Sequence, residues 1–89
     1  ELRLEMSEGE HHILIDQLIK SARFPGGEIC NIDGVRVDFE NGFGLARASN
    51  TTPTVILRFE ADDRSMLEKI QAQFRSQLLS IRADLDLPF

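Results

Sequence analysis

The chain has 89 residues, 42% of them apolar and 28% charged, and its fifteen Asp and Glu against ten Lys and Arg leave a net charge of -5. That length fits one domain over residues 1–89, able to bury roughly 60 to 68% of the surface its unfolded form would expose, with no room for a second core. The composition is that of a globular chain rather than a disordered one, the charge has the wrong sign for a nucleic-acid backbone, and no apolar run approaches the roughly 20 residues that cross a bilayer.

A soluble, cytoplasmic protein that binds neither nucleic acid nor membrane is therefore expected, and no charged-then-apolar leader is visible. The chain opens at Glu1, without an initiator Met and inside an extended pattern, as a piece of a longer protein would. Leu2 and Leu4 alternate with Arg3 and Glu5, the period-two signature of a strand or an extended linker with one buried face. Ser7 stands three residues before Glu10, the spacing of a capping box, and predicts a helix over residues 8–22. Ile15, Leu18, Ile19 and Ala22 share one face of it, and Pro25, Gly26 and Gly27 end it. His11 and His12 on this helix read as surface or boundary residues.

Four short strands are expected next, over residues 28–32, 35–39, 43–48 and 54–60. Cys30, the only cysteine, has no partner for a disulfide or a metal cluster and reads as a half-buried strand residue. Between the second and third of these strands, a two-residue Asn41-Gly42 loop would place Asp38 and Glu40 opposite Leu45 and Phe43. A three-residue Glu40-Asn41-Gly42 loop, with Gly42 left-handed, instead sets Phe39 opposite Phe43 and Val37 opposite Leu45, and is the register expected. Val35, Val37 and Phe39 would then share a face with Phe43, Leu45 and Arg47, and the Arg47 stem would lie along that row. In the last strand Val55, Leu57 and Phe59 point inward, with Arg58 and Glu60 outward. Asp62 or Asp63 caps a second helix, whose stripe is Leu67, Ile70, Phe74, Leu78 and Ile81 and whose wet side carries Glu68, Lys69 and Arg75. Leu85, Leu87 and Phe89 alternate in a tail expected to pack onto the domain. Four strands and two helices in this order make an α+β fold, one antiparallel four-stranded sheet with both helices on one face.

Chemistry concentrates in Arg47-Ala48-Ser49-Asn50-Thr51-Thr52-Pro53. A phosphate dianion accepts many hydrogen bonds, and the Arg fork engages two of its oxygens at once. Ser49, Asn50 and Thr51 add side-chain donors, backbone N–H groups add more if they converge as a nest, and Pro53 restricts Thr52 to extended conformations. The competing reading is a plain turn, with Arg47 paired to a carboxylate such as Asp38 across the hairpin. Asp62-Asp63-Arg64 is explained by capping at a helix start and needs no metal.

The runs Asp33-Gly34-Val35-Arg36-Val37, Gly42-Phe43-Gly44-Leu45 and Arg47-Ala48-Ser49-Asn50-Thr51-Thr52-Pro53 resemble the C-terminal domain of the α-D-phosphohexomutases. Leu57-Arg58-Phe59-Glu60-Ala61-Asp62 and the terminal Leu87-Pro88-Phe89 resemble its bifunctional phosphomannomutase/phosphoglucomutase branch. The resemblance implies a TATA-box-binding-protein-like fold, and a phosphosugar-binding role in which Arg47, Ser49, Asn50 and Thr51 hold the non-transferred phosphate of a mannose or glucose phosphate. It implies that the parent enzyme interconverts hexose 1- and 6-phosphates through a bisphosphorylated sugar, using a phosphoserine and Mg²⁺ held by its remaining domains. No catalytic serine loop, metal site or cofactor is expected within these residues, which should be inactive alone. The pattern departs from many relatives at Thr52, where they carry Glu, and at Phe43, where they carry Trp. The alternative from a different class is a non-catalytic protein-interaction module in which the loop is only a turn.

Overall fold

The computed structural model describes all 89 residues. Strands β1 (Leu2–Glu5), β2 (Glu28–Cys30), β3 (Val35–Phe39), β4 (Gly42–Ala48) and β5 (Thr54–Ala61) form one antiparallel sheet in the order β1-β5-β4-β3-β2. Helices α1 (Glu10–Ser21) and α2 (Arg64–Ile81) pack against each other and on the sheet. The architecture is the expected α+β layer pair, but with five strands rather than four. Leu2-Arg3-Leu4-Glu5 is a true edge strand on β5, held by the pairs Leu2–Leu57 and Leu4–Val55.

The core lies between the helices and one face of the sheet. Leu14, Ile15 and Leu18 of α1 and Ile70, Phe74 and Leu78 of α2 meet Leu4, Val35, Val37, Ala46, Val55 and Leu57 there. At about 25 cal/mol per Å² of apolar surface removed from water, this burial is the main term favouring the fold. Phe74 is fully buried and touches Phe24 at 4.6 Å and Phe59 edge-on at 5.2 Å between ring centroids. Phe59 in turn meets Phe89 at 4.8 Å, so the tail does pack onto the domain, joined by Leu85 and Leu87.

The β3–β4 register differs from expectation. Phe39 faces Gly42, Val37 faces Gly44 and Val35 faces Ala46, which leaves Glu40 and Asn41 as a two-residue connection. Neither these residues nor Gly42 has positive φ, so the turn is not of the primed hairpin kind; the Asn41 carbonyl instead accepts from the Asp62 N–H at 2.9 Å. The reason is the helix layer. Small residues Gly42, Gly44, Ala46 and Ala48 occupy the helix side of β4, and a Cβ at Gly44 would run into the Phe74 ring. Phe43, Leu45 and Arg47 are thereby turned to the opposite, helix-free face, while Val35, Val37 and Phe39 stay with the core.

Other local expectations are also corrected. α1 begins after Gly9, at φ 86, with no side-chain cap: Ser7 accepts the Glu10 N–H through its carbonyl, and Glu10 Oε2 is drawn to Arg82 at 3.3 Å instead of reaching back. His11 is 3% exposed, on the inner side of α1 with Leu14, and its Nδ1 has no partner. β2 is exposed throughout, Cys30 included, because it is the short outer edge of the sheet. Of the two candidate caps, Asp63 serves α2, its Oδ1 accepting from Met66 N at 2.8 Å. The Arg82 N–H closes the other end on the Leu78 carbonyl.

Gly44→Ala places a methyl group where the buried Phe74 ring lies. The expected outcome is a loss of about 1–3 kcal/mol in urea unfolding, as for other overpacked cores; unchanged stability would show that the ring has room to retreat.

Candidate phosphate-binding site

β4 and β5 end together at one end of the sheet, and residues 47–53 turn between them. The ladder runs through Arg47–Ile56 and Ala48–Val55; one step on, the Ser49 N–H donates to the Thr54 carbonyl at 2.8 Å, which carries the antiparallel pairing into the turn. β1 clamps the same turn from outside, where the Met6 N–H donates to the Pro53 carbonyl at 2.8 Å. The loop is therefore tied at its base to two strands.

Inside the turn Ser49 is the hub. It is 6% exposed, and its Oγ receives the Thr51 N–H at 3.3 Å, the Thr52 N–H at 3.4 Å and the Thr52 hydroxyl at 3.3 Å. Three donors compete for two lone pairs, and all three distances exceed the ordinary value of about 2.9 Å, so each bond is loose. The Ser49 proton itself has only Thr51 Oγ1, at 3.4 Å, within reach. Thr52 Oγ1 also reaches Thr54 Oγ1 at 3.0 Å, extending the hydroxyl chain into β5. The convergent nest of outward amides does not form here, since the Thr51 and Thr52 N–H groups point at Ser49. The Asn50 N–H bonds to no group of the chain, and Asn50 and Thr51 are exposed.

Arg47 is half-buried, and its side chain makes neither a hydrogen bond nor an ion pair. The pairing with Asp38 offered by the plain-turn reading is absent. Asp38 is taken by Arg36 of its own strand at 3.0 Å, and that hydrogen bond raises the Arg36 guanidinium above its ordinary value. Arg36 also stacks over the Phe43 ring at 4.0 Å from its centroid. Asp38 faces Phe43, four residues along β4 from Arg47 and out of its reach, while Arg47 lies beside Ile56 on the helix-free face and not along the Val35 row.

One contact at Arg47 went unseen in the sequence. Gly34, at φ 77, sits so close that an added Cβ would strike Arg47 Cα and Cβ and the Ala46 carbonyl. The Asp-Gly dipeptide signals a turn at that point, but only the fold shows that the turn rests against the Cα and Cβ of Arg47. The structure thus brings Arg47, Ser49, Asn50 and Thr51 to one end of the sheet, with the guanidinium unpaired and two hydroxyls loosely engaged. Chemically, this set can donate hydrogen bonds to an anion without first breaking an ion pair.

Fold and loop together define an α+β domain of the phosphohexomutase type. Residues 1–77 match the family described as phosphoglucomutase/phosphomannomutase, C-terminal domain, and the chain belongs to it. Among similar proteins, the phosphomannomutase/phosphoglucomutase of Pseudomonas putida is 45% identical over 89 residues, covering 100% of this chain and 19% of that protein. The phosphoglucomutase of Neisseria meningitidis is 51% identical over 82 residues, covering 90% of this chain and 18% of its own length. A crystal structure of a phosphoglucomutase/phosphomannomutase family protein from Burkholderia thailandensis superposes with a TM-score of 0.84 at 44% identity, over 100% of this chain and 19% of that one. The chain spans about a fifth of the length of these relatives.

Gly34→Ala forces a side chain into a left-handed position and against Arg47. Its expected effect is a loss of about 1–3 kcal/mol in chemical denaturation, with altered amide resonances at residues 46–49; an undisturbed spectrum there would mean that Gly34 does not seat Arg47.

Proposed function

We propose that residues 1–89 act as the C-terminal phosphosugar-binding domain of a phosphomannomutase/phosphoglucomutase, and that Arg47, Ser49, Asn50 and Thr51 hold whichever phosphate of the hexose phosphate is not being transferred. The observation that carries this reading is the unpaired Arg47 beside the Ser49 hydroxyl cluster, at the tip of a strand pair. In a turn that served only to connect β4 and β5, a half-buried guanidinium would be expected to take a carboxylate partner. Here Asp38 is two strand positions from Arg36 and committed to it.

Binding by this loop contributes positioning. With one phosphate fixed, the other end of the sugar is directed at the group that transfers phosphate, which replaces a search in solution by a held geometry. The reaction exchanges phosphate between the 1- and 6-positions through a bisphosphorylated sugar, so the loop has to accept either phosphate in turn. Donors centred on phosphate oxygens rather than on one ring face suit both orientations. Movement of this domain toward the rest of the enzyme would exclude water from the phosphoenzyme.

The phosphoserine and Mg²⁺ belong, in this reading, to the other domains of the parent enzyme. Magnesium there would balance phosphate charge during transfer. No residue of this chain is assigned to it: the carboxylate most suggestive of a metal site, Asp63, spends its Oδ1 on the cap of α2. The isolated chain is expected to turn over no hexose phosphate, in a cytoplasmic enzyme of carbohydrate metabolism. No helix is long and apolar enough to cross a membrane.

A charge-assisted hydrogen bond is worth about 1.5–3 kcal/mol, so Arg47→Ala in the full-length enzyme is expected to lower kcat/KM roughly tenfold to a hundredfold. Asp63→Ala is the control, costing about 1 kcal/mol of stability through the lost cap and leaving turnover within about twofold. Steady-state kinetics of both variants with glucose 1-phosphate decide the matter. A change below twofold for Arg47→Ala would remove the phosphate-binding assignment.

A further inference from the structure

The hydroxyl chain of the loop does not end at Ser49. Thr54, the first residue of β5, is 5% exposed, and its backbone is fixed at both polar groups: the carbonyl accepts the Ser49 N–H, and the N–H donates to the Thr52 carbonyl, each at 2.8 Å. Its hydroxyl is thus carried on a strand held between β1 and β4, whereas Thr52 is an exposed loop residue. Thr52 Oγ1 is the donor in two contacts, to Thr54 Oγ1 at 3.0 Å and to Ser49 Oγ at 3.3 Å. A threonine hydroxyl has a single proton, so the two contacts cannot both be full bonds. Hydroxyl-to-oxygen bonds extend to about 3.0 Å, which admits Thr54 and leaves Ser49 outside. The Thr52 proton therefore goes to Thr54.

That direction settles the state of Ser49. With the Thr52 hydroxyl turned away, the Ser49 oxygen keeps two donors, the Thr51 and Thr52 amides, one for each lone pair. It can accept nothing further. Its contact with Thr51 Oγ1 at 3.4 Å then runs with Ser49 as the donor, at a length well beyond a strong hydroxyl bond. A phosphate oxygen can take that proton without displacing a good bond.

Resting on the phosphate-binding reading above, we infer that Thr54 is a positioning residue for the grip: by accepting the Thr52 hydroxyl proton, it leaves Ser49 seated on two amides and free to donate to phosphate. Thr54 touches no ligand in this role and acts through Thr52 and Ser49. Without the Thr54 oxygen, the Thr52 proton has only Ser49 to go to. Three donors then crowd two lone pairs, one amide bond lengthens, and the Ser49 oxygen shifts with it. The alternative role for a buried residue at a strand start is packing, in which its methyl group matters and its hydroxyl does not.

The two roles separate in the kinetics of the full-length enzyme with glucose 1-phosphate. Thr54→Val keeps the branched shape and removes the hydroxyl, while Thr54→Ser keeps the hydroxyl and removes the methyl. Thr54→Val is expected to lower kcat/KM about three- to tenfold, the effect of one misplaced hydrogen bond, and Thr54→Ser to restore it to within about twofold. In a Ser49→Ala background, Thr54→Val is expected to add less than about twofold, because the group it acts through is already gone. A serine variant more impaired than the valine variant would overturn the inference, as would a valine effect undiminished in the Ser49→Ala background. Arg47→Ala and Ser49→Ala alone report on the phosphate reading. If both lower kcat/KM and Thr54→Val does not, the role of Thr54 falls while the grip stands; if neither lowers it, the phosphate reading fails and Thr54 has nothing to position.

Discussion

The close approach of α2 to β4 decides how everything else is placed. Phe74 can lie on Gly44 only because that residue has no side chain, and the alternating Gly42, Gly44, Ala46 and Ala48 make β4 the thin strand beneath the helices. Since successive side chains in a strand point to opposite faces, every large residue of β4 is then sent to the helix-free side. Arg47 is the last of these. Its presence on an open face beside the β4–β5 turn, and not in the core, follows from packing several residues away.

The turn itself is built on loose bonds. Backbone pairing continues into Ser49 and Met6 fastens Pro53, which fixes the base, while the hydroxyls of Ser49, Thr51 and Thr52 hold one another at 3.3–3.4 Å. Such an arrangement is ordered without being satisfied. In the proposed role, a phosphate would compete with weak internal contacts rather than with a strong ion pair, so less binding energy would be lost to rearrangement. Gly34 contributes from the neighbouring hairpin by letting the backbone pass directly over Arg47.

Most of the architecture was legible in the sequence, because both helical stripes and the alternation in β5 follow simple periodicities. Ile70, Phe74 and Leu78 are buried as their spacing requires, and Asp63 caps α2. The β3–β4 register was not legible, for a physical reason: pairing Phe39 with Phe43 assumes that the largest apolar residues seek the core, whereas here the helices need the small ones. The capping box at Ser7 failed because Glu10 found a partner, Arg82, from the other end of the chain. Within the candidate site, the choice of Arg47, Ser49, Asn50 and Thr51 rests on donor density and family resemblance, and their nearness in sequence already puts them in one turn. The inward turn of the Thr51 and Thr52 amides and the contact with Gly34 depend on tertiary placement that no local pattern encodes.

The central claim is that residues 47–51 grip a phosphate, and the most direct test is a crystal structure of the full-length enzyme with a hexose phosphate bound. The account predicts phosphate oxygens within roughly 3 Å of the Arg47 guanidinium and of donors on Ser49, Asn50 and Thr51. A well-ordered hexose phosphate with both ends held elsewhere in the closed enzyme, and the 47–51 loop facing solvent, would contradict it.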